Sequence, residues 1–161
     1  MRTIKFRGKR TDTGEWAYGS LIKFDIGYVI TISETTESDD SLDKNNSIVF
    51  SADEIAGVNP NSIGQFTGLL DRNGKEIYEG DILQLDYITT TGKHRIGLSF
   101  EVKWCTQEGC WVGWDGFVES AFQQTRKMFV VKGNIYDNPE LINSKLIRKE
   151  SNENPNHILR R

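Results

Sequence analysis

The sequence predicts a mainly β protein, and three observations carry that prediction. Short runs alternate apolar and polar side chains with period two, Ile4-Lys5-Phe6-Arg7 and Leu83-Gln84-Leu85-Asp86 among them, which is the pattern of half-buried strands. Turn-forming steps such as Asp12-Thr13-Gly14, Asn73-Gly74 and Glu79-Gly80-Asp81 separate the runs. A helix start is well signalled at one place, Asn138-Pro139-Glu140. Of 161 residues 37% are apolar, and 15 glycines bring the chain near the globular norm of about 45–50%. That suffices for one domain of about 150 residues or two small ones, and speaks against a wholly disordered chain.

Taken in order, Ile4 and Phe6 face one way and Lys5, Arg7 and Lys9 the other, and Trp16, Tyr18, Leu21 and Ile22 resume an apolar strand after the turn at 12–14. Residues 3–23 therefore read as a hairpin. Tyr28 to Ile32 is a second β-prone run. Residues 33–47 are acidic and serine-rich and read as a flexible loop, with too little apolar surface to offset ordering. Ile48-Val49-Phe50 reads as a short strand, and Asn59-Pro60-Asn61 as a turn that marks an internal boundary. Beyond it, Gly80-Asp81 opens into Leu83, Leu85 and Tyr87 on one face, the entrance of a strongly bent barrel of the SH3-like type. Residues 89–95 form its hairpin tip, Phe100, Val102 and Trp104 alternate beyond, residues 117–124 suit a short helical turn, and Met128 to Val131 reads as a buried strand. The expected architecture is an N-terminal β-hairpin region over 1–62, an SH3-like small β-barrel over 63–136, a C-terminal α-helix over 137–149 and a tail over 150–161.

Charge is unevenly spread. Arg2, Lys5, Arg7, Lys9 and Arg10 precede the first acid, whereas residues 34–54 hold seven acids against Lys44 alone. The net charge of −3 argues against a protein that coats nucleic acid by bulk electrostatics, yet leaves room for a local basic face. The longest apolar run, Met128 to Val131, is far short of the roughly 18 residues of a membrane span. The N-terminus lacks the apolar stretch of a secretory signal. The expectation is a cytoplasmic protein with reduced thiols and no membrane partner.

Three blocks carry a family resemblance. Ile4-Lys5-Phe6-Arg7-Gly8-Lys9-Arg10 is followed by Gly14-Glu15-Trp16-Ala17-Tyr18-Gly19. The centre holds Gly64, Gln65, Phe66 and Gly68, then Asp71, Gly74, Tyr78, Glu79, Gly80 and Asp81. The last block is Gly133-Asn134-Ile135-Tyr136-Asp137-Asn138-Pro139-Glu140-Leu141. In this order, from near residue 1 to about residue 142, they resemble the YopX family of phage and prophage proteins. The resemblance implies a mainly β protein with an SH3-like C-terminal barrel, working in a bacterial host cell. The motif residues read as structural, and the resemblance carries over no catalytic residue and no cofactor.

Few motifs offer chemistry. Cys105 and Cys110 have C-x4-C spacing, but only His94 and His157 could join them, so a zinc site is not expected. A hairpin turn over 106–109 would instead set the two thiols across from each other, reduced or paired. Asp71, Glu76, Glu79 and Asp81 form the tightest carboxylate cluster and could serve a metal-dependent enzyme acting on nucleic acid. Interleaved with glycines at two turns, they read more simply as caps. No nucleophile–histidine arrangement and no phosphate loop is present in the sequence.

Basic residues interleaved with aromatics are the best functional hint. Lys5, Arg7 and Lys9 share one strand face, Arg10 follows, Trp16 and Tyr18 lie on the paired strand, and Lys93 and Arg95 sit at the expected hairpin tip. Small barrels bind nucleic acid or peptides with exposed aromatics and a basic rim. The plainer reading puts the rings in the core and the lysines in solvent. Four tryptophans also suit a homo-oligomer interface. The sequence thus points to a non-enzymatic binding or assembly module, its partner a nucleic acid or a phage or host protein, with metal-dependent catalysis as the alternative.

Overall fold

A computed structural model describes residues 3–32, 55–114, 119–121 and 128–142. The acidic loop 33–47, the strand expected at 48–50, the helix beyond 142 and the tail 150–161 lie outside the described residues. The protein is mainly β, its strands antiparallel, with a helix that opens at Glu140. It divides into two compact units, Met1–Gly68 and Leu69–Arg161.

In the first unit β1 (Phe6–Lys9), β2 (Trp16–Phe24), β3 (Gly27–Thr31) and β4 (Ile55–Val58) form a meander, and β5 (Gly64–Leu70) returns beside β1, giving the order β4-β3-β2-β1-β5. The end of β1 reaches the outer edge of β4. Arg10 bridges to Val58, Thr11 N donates to Gly57 O at 3.0 Å, and Asn59 N donates to Lys9 O at 2.8 Å. The four strands thus close on themselves. Gly8 permits the closure, because a Cβ there would meet Val58 Cβ at 2.9 Å. A 3-10 turn over Pro60–Ser62 joins β4 to β5, capped by Asn59, whose side chain accepts from Asn61 N. The buried Ser62 hydroxyl donates to Asn59 O and accepts from Lys9 N, both at 2.8 Å, fastening the turn to β1. Ala17, Ile30, Ala56 and Val58 form the core, with Phe6, Leu21, Tyr28, Ile32 and Ile63 packed against it.

In the second unit β6 (Glu76–Tyr78) follows the turn at 71–74. Then β7 (Asp81–Ile88), β8 (His94–Cys105), β9 (Cys110–Trp114), β10 (Glu119–Ala121) and β11 (Phe129–Asn134) make a sheet of order β10-β9-β8-β7-β11. Its core is Ile77, Leu83, Val102, Trp111 and Phe129, flanked by Leu69, Leu85, Phe100 and Val131. Each aliphatic side chain fully buried here contributes about 1.5–3 kcal/mol. Phe100 meets Phe129 edge to face at 4.9 Å between centroids.

Strands β1–β5 and strands β7–β11 therefore follow one order, the first strand of each meander lying between the second and the fifth. No repeat is visible in the sequence. Strand order is held by backbone bonds, which different side chains can support equally.

Two local expectations differ from the structure. Residues 119–121, expected in a helical turn, pair with β9 through Glu119↔Trp114 and Ala121↔Val112, so ladder bonds outweigh a weak local preference. The β7–β8 turn closes at 89–93, which puts Arg95 in β8 opposite Tyr87 rather than at the tip. At the helix start, Leu141 N donates to Asn138 O at 3.1 Å. Among the described residues no helix is long and apolar enough to cross a membrane.

Candidate binding face

The pairing of β1 with β2 sets Arg7 opposite Tyr18 and Lys9 opposite Trp16. Directly opposed residues share a face in an antiparallel pair, and Lys5, two residues before Arg7, joins them. The side chains stack accordingly. Lys5 Nζ lies 5.9 Å from the Tyr18 ring centroid, Arg7 Cζ 4.7 Å and Lys9 Nζ 5.6 Å from that of Trp16. Cations over ring faces are held by the ring quadrupole, by about 0.5–1 kcal/mol at exposed sites and more when desolvated. Depth differs along the row. Arg7 is only 5% exposed, Lys5, Lys9 and Trp16 are half-buried, and Tyr18 is 42% exposed. The reachable part of the face is thus Lys5, Lys9 and Tyr18, with Arg7 seated beneath.

Arg10 does not join this row. Its guanidinium grips Asp12 bidentately, Nε to Oδ1 at 3.0 Å and Nη2 to Oδ2 at 2.8 Å. That bond holds the Asp12 carboxyl well below the usual carboxylate range and raises the guanidinium in turn. Lys93 and Arg95 belong to the β7–β8 hairpin of the second unit and are exposed.

The carboxylate cluster is drawn into turns. Asp71, 7% exposed, accepts from Asn73 N (2.8 Å) and Lys75 N (2.9 Å) through Oδ1, and from Val131 N (3.0 Å) through Oδ2. Asp81, fully buried, accepts from Tyr78 N at 2.8 Å, and Glu76 accepts from Tyr78 Oη at 2.6 Å. Glu79 is half-buried beside them. Gly80 takes φ +78°, its N–H donating to Val102 O and its carbonyl accepting from Ile135 N, both at 2.9 Å. Only glycine adopts that left-handed turn without strain. Gly64 is buried opposite Arg7, Gln65 lies opposite Phe6, and Phe66 is buried with its N–H on Lys5 O. Gly68 and Gly74 both have positive φ. Among the described residues no three or more of His, Cys, Asp and Glu are placed to hold a metal ion. Cys105 and Cys110 are register partners across the β8–β9 turn and stand as free thiols, the buried Cys105 donating to Gln107 Oε1 at 3.4 Å.

A charged cluster on the β7–β8 hairpin is new. Asp86 Oδ1 receives Arg72 Nη1 at 2.9 Å and lies 2.8 Å from His94 Nε2. The eight-residue span across an expected hairpin was the only signal for it. The hydrogen bond from His94 first, then the Arg72 charge, holds the Asp86 carboxyl below its ordinary value. Ionised Asp86 therefore stabilises the folded chain above about pH 4, and that contribution is lost as pH falls through its lowered folded-state value. His94→Ala is expected to move the Asp86 carboxyl back towards the ordinary range in an NMR titration. An unchanged midpoint would show that His94 plays no part.

Comparison with known proteins gives three findings. The model of the YopX protein family matches residues 5–143. The crystal structure of protein EF1440 from Enterococcus faecalis is similar at 27% identity, over 88% of this chain and 99% of that one, with a TM-score of 0.48. No curated protein matches the chain.

Proposed function

The chain belongs to the YopX protein family, and from that premise we propose a non-enzymatic phage or prophage accessory protein of the bacterial cytoplasm that acts by binding a macromolecule, nucleic acid first. One observation carries the reading. Lys5, Lys9 and the exposed Tyr18 share a solvent-reaching edge of one sheet face, which offers two phosphate-binding charges beside a ring on which a base can stack. Arg7 serves that face from below by ordering the Trp16 ring.

The test is fluorescence anisotropy with labelled single- and double-stranded DNA and RNA at about 50 and about 200 mM salt. Binding is expected to weaken with salt. On single strands, Lys5→Ala with Lys9→Ala is expected to lower the slope of log affinity against log salt by about 1.4, or about 0.7 per lost phosphate contact. Tyr18→Ala is expected to cost about 1–3 kcal/mol of binding without changing the slope. No binding at low salt overturns the reading, and protein partners then lead.

Metal-dependent cleavage remains the competing reading. Both oxygens of Asp71 are already engaged by backbone amides, which supports the binding reading over it. Cleavage of any of these substrates with Mg²⁺ or Mn²⁺ would reverse that preference. Self-association is a second reading, favoured by the exposed Ile96 and Leu98 of β8. A monomer in light scattering at high concentration would remove it.

A further inference from the structure

The β2–β3 hairpin ends in apolar side chains that a connection between strands does not need. Hairpin turns favour Gly, Asn, Asp and Ser, yet the two-residue turn Asp25-Ile26 carries Ile26, 100% exposed, next to Phe24, 53% exposed, at the end of β2. A fully exposed isoleucine adds nothing to folding, since it removes no surface from water. Both side chains line an open cleft of about 570 Å³ together with Thr11, Tyr28, Val58 and Pro60. The lining is predominantly apolar, and the volume falls in the range of about 300–1,000 Å³ typical of ligand sites.

The cleft has a negative charge at its edge. Asp25, between the lining residues Phe24 and Ile26, is exposed and engages no partner among the described residues. The nearby cations are in use. Arg10 is gripped by Asp12, and Lys23 lies over the Tyr28 ring at 5.9 Å. An apolar cleft with an uncommitted carboxylate at its rim disfavours phosphate and favours apolar surface that carries a cation.

We propose that this cleft is a docking groove for an extended peptide of a partner protein, one that places large apolar side chains next to a lysine or arginine. The open cleft suits a chain segment laid across it rather than an enclosed small molecule. Ile26 and Phe24 bury the ligand's apolar side chains, and Asp25 receives its cation. None of Lys5, Lys9 and Tyr18 lines the groove, which extends the proposed function to a second kind of partner.

A random decapeptide library displayed on yeast and selected on the full chain tests this. Enriched sequences are expected to combine two or more Leu, Ile, Phe or Pro with an Arg or Lys. The best of them, synthesised and labelled, is expected to bind about tenfold or more weakly to Ile26→Asp, the loss of one buried side chain. Asp25→Lys is expected to weaken the same peptide, and replacing the peptide's cation by Glu is expected to restore binding to that variant. Both positions are exposed turn residues, so thermal unfolding of the variants is expected to match the parent. No enrichment, enriched peptides lacking a cation, or binding unchanged in both variants overturns the proposal. So does self-association that Ile26→Asp abolishes, because the occupant is then a second copy. Nucleic-acid binding is scored at Lys5 and Lys9 and peptide binding at Asp25 and Ile26, so the two readings fail separately.

Discussion

Replacing Asp71 by alanine is expected to destabilise the second unit by about 3–4 kcal/mol. The carboxylate accepts three backbone N–H bonds from a position only 7% exposed. Bonds to a charged group contribute about 1.5–3 kcal/mol each, but two offsets apply. The donors of Asn73 and Lys75 sit on an exposed turn and can turn to water, and removing the charge also removes its desolvation cost. The third bond has no such substitute. β11 is an edge strand of its sheet, and the Val131 N–H points away from β7 to Asp71, so the carboxylate closes an edge position that would otherwise stand open. Arg72 N donates to Phe129 O at 3.0 Å beside it, which makes the turn a clasp on β11. Against a typical total of about 5–15 kcal/mol, the loss is large, and the thermal midpoint is expected to fall by about 4–8 °C for each kcal/mol. Asp71→Asn separates the parts. Its oxygen can keep the two turn bonds while its NH₂ faces the Val131 N–H, so hydrogen exchange at Val131 is expected to speed up while Asn73 and Lys75 stay protected. A loss below about 1 kcal/mol in the alanine variant, well under one charged bond, would show that the clasp contributes little.

That clasp marks where the sequence stops being legible. Asp71 reads correctly as a turn acid, because its turn partners lie two and four residues away, but the bond to Val131 spans sixty residues. The first hairpin was legible for the opposite reason. Its side chains alternate, and its partners are neighbours in the chain. Alternation gives the side a residue faces and not its depth. Arg7 falls on the same face as Lys5 and Lys9, yet burial beneath the Trp16 ring sets it apart from them. The shared strand order of the two units was hidden too, since backbone bonds carry it and impose no common side chains. Ile26 gave no signal either. One apolar residue in a turn has no period, and its meaning comes from the cleft that the strand ends build around it.

Gly19→Ala is expected to disrupt the first unit by about 3 kcal/mol or more, beyond the about 1–3 kcal/mol of ordinary overpacking. The reason lies in how β2 divides its pairing. Trp16 to Gly19 pair with β1, and Ser20 to Phe24 pair with β3, so Gly19 is the corner at which the strand changes partner. Such corners are tight, and glycine is the residue that fits where another backbone comes close. A Cβ at Gly19 would lie 1.8 Å from the carbonyl oxygen of Thr31 and 3.2 Å from Ile30 Cγ2. A side chain could swing aside, but the Thr31 carbonyl belongs to β3 and moves only if that strand moves. Thr31 and Ile30 are both buried, and Ile30 is part of the unit's core, so relief costs either ladder bonds or core contacts. Ser20→Ala, one residue along on the exposed side, is the control and is expected to stay within about 0.5 kcal/mol. Denaturant unfolding gives the difference, and amide shifts over residues 16–31 locate it. If Gly19→Ala unfolds at the same midpoint as Ser20→Ala, the corner is looser than its geometry implies, and β2 bends without needing glycine there.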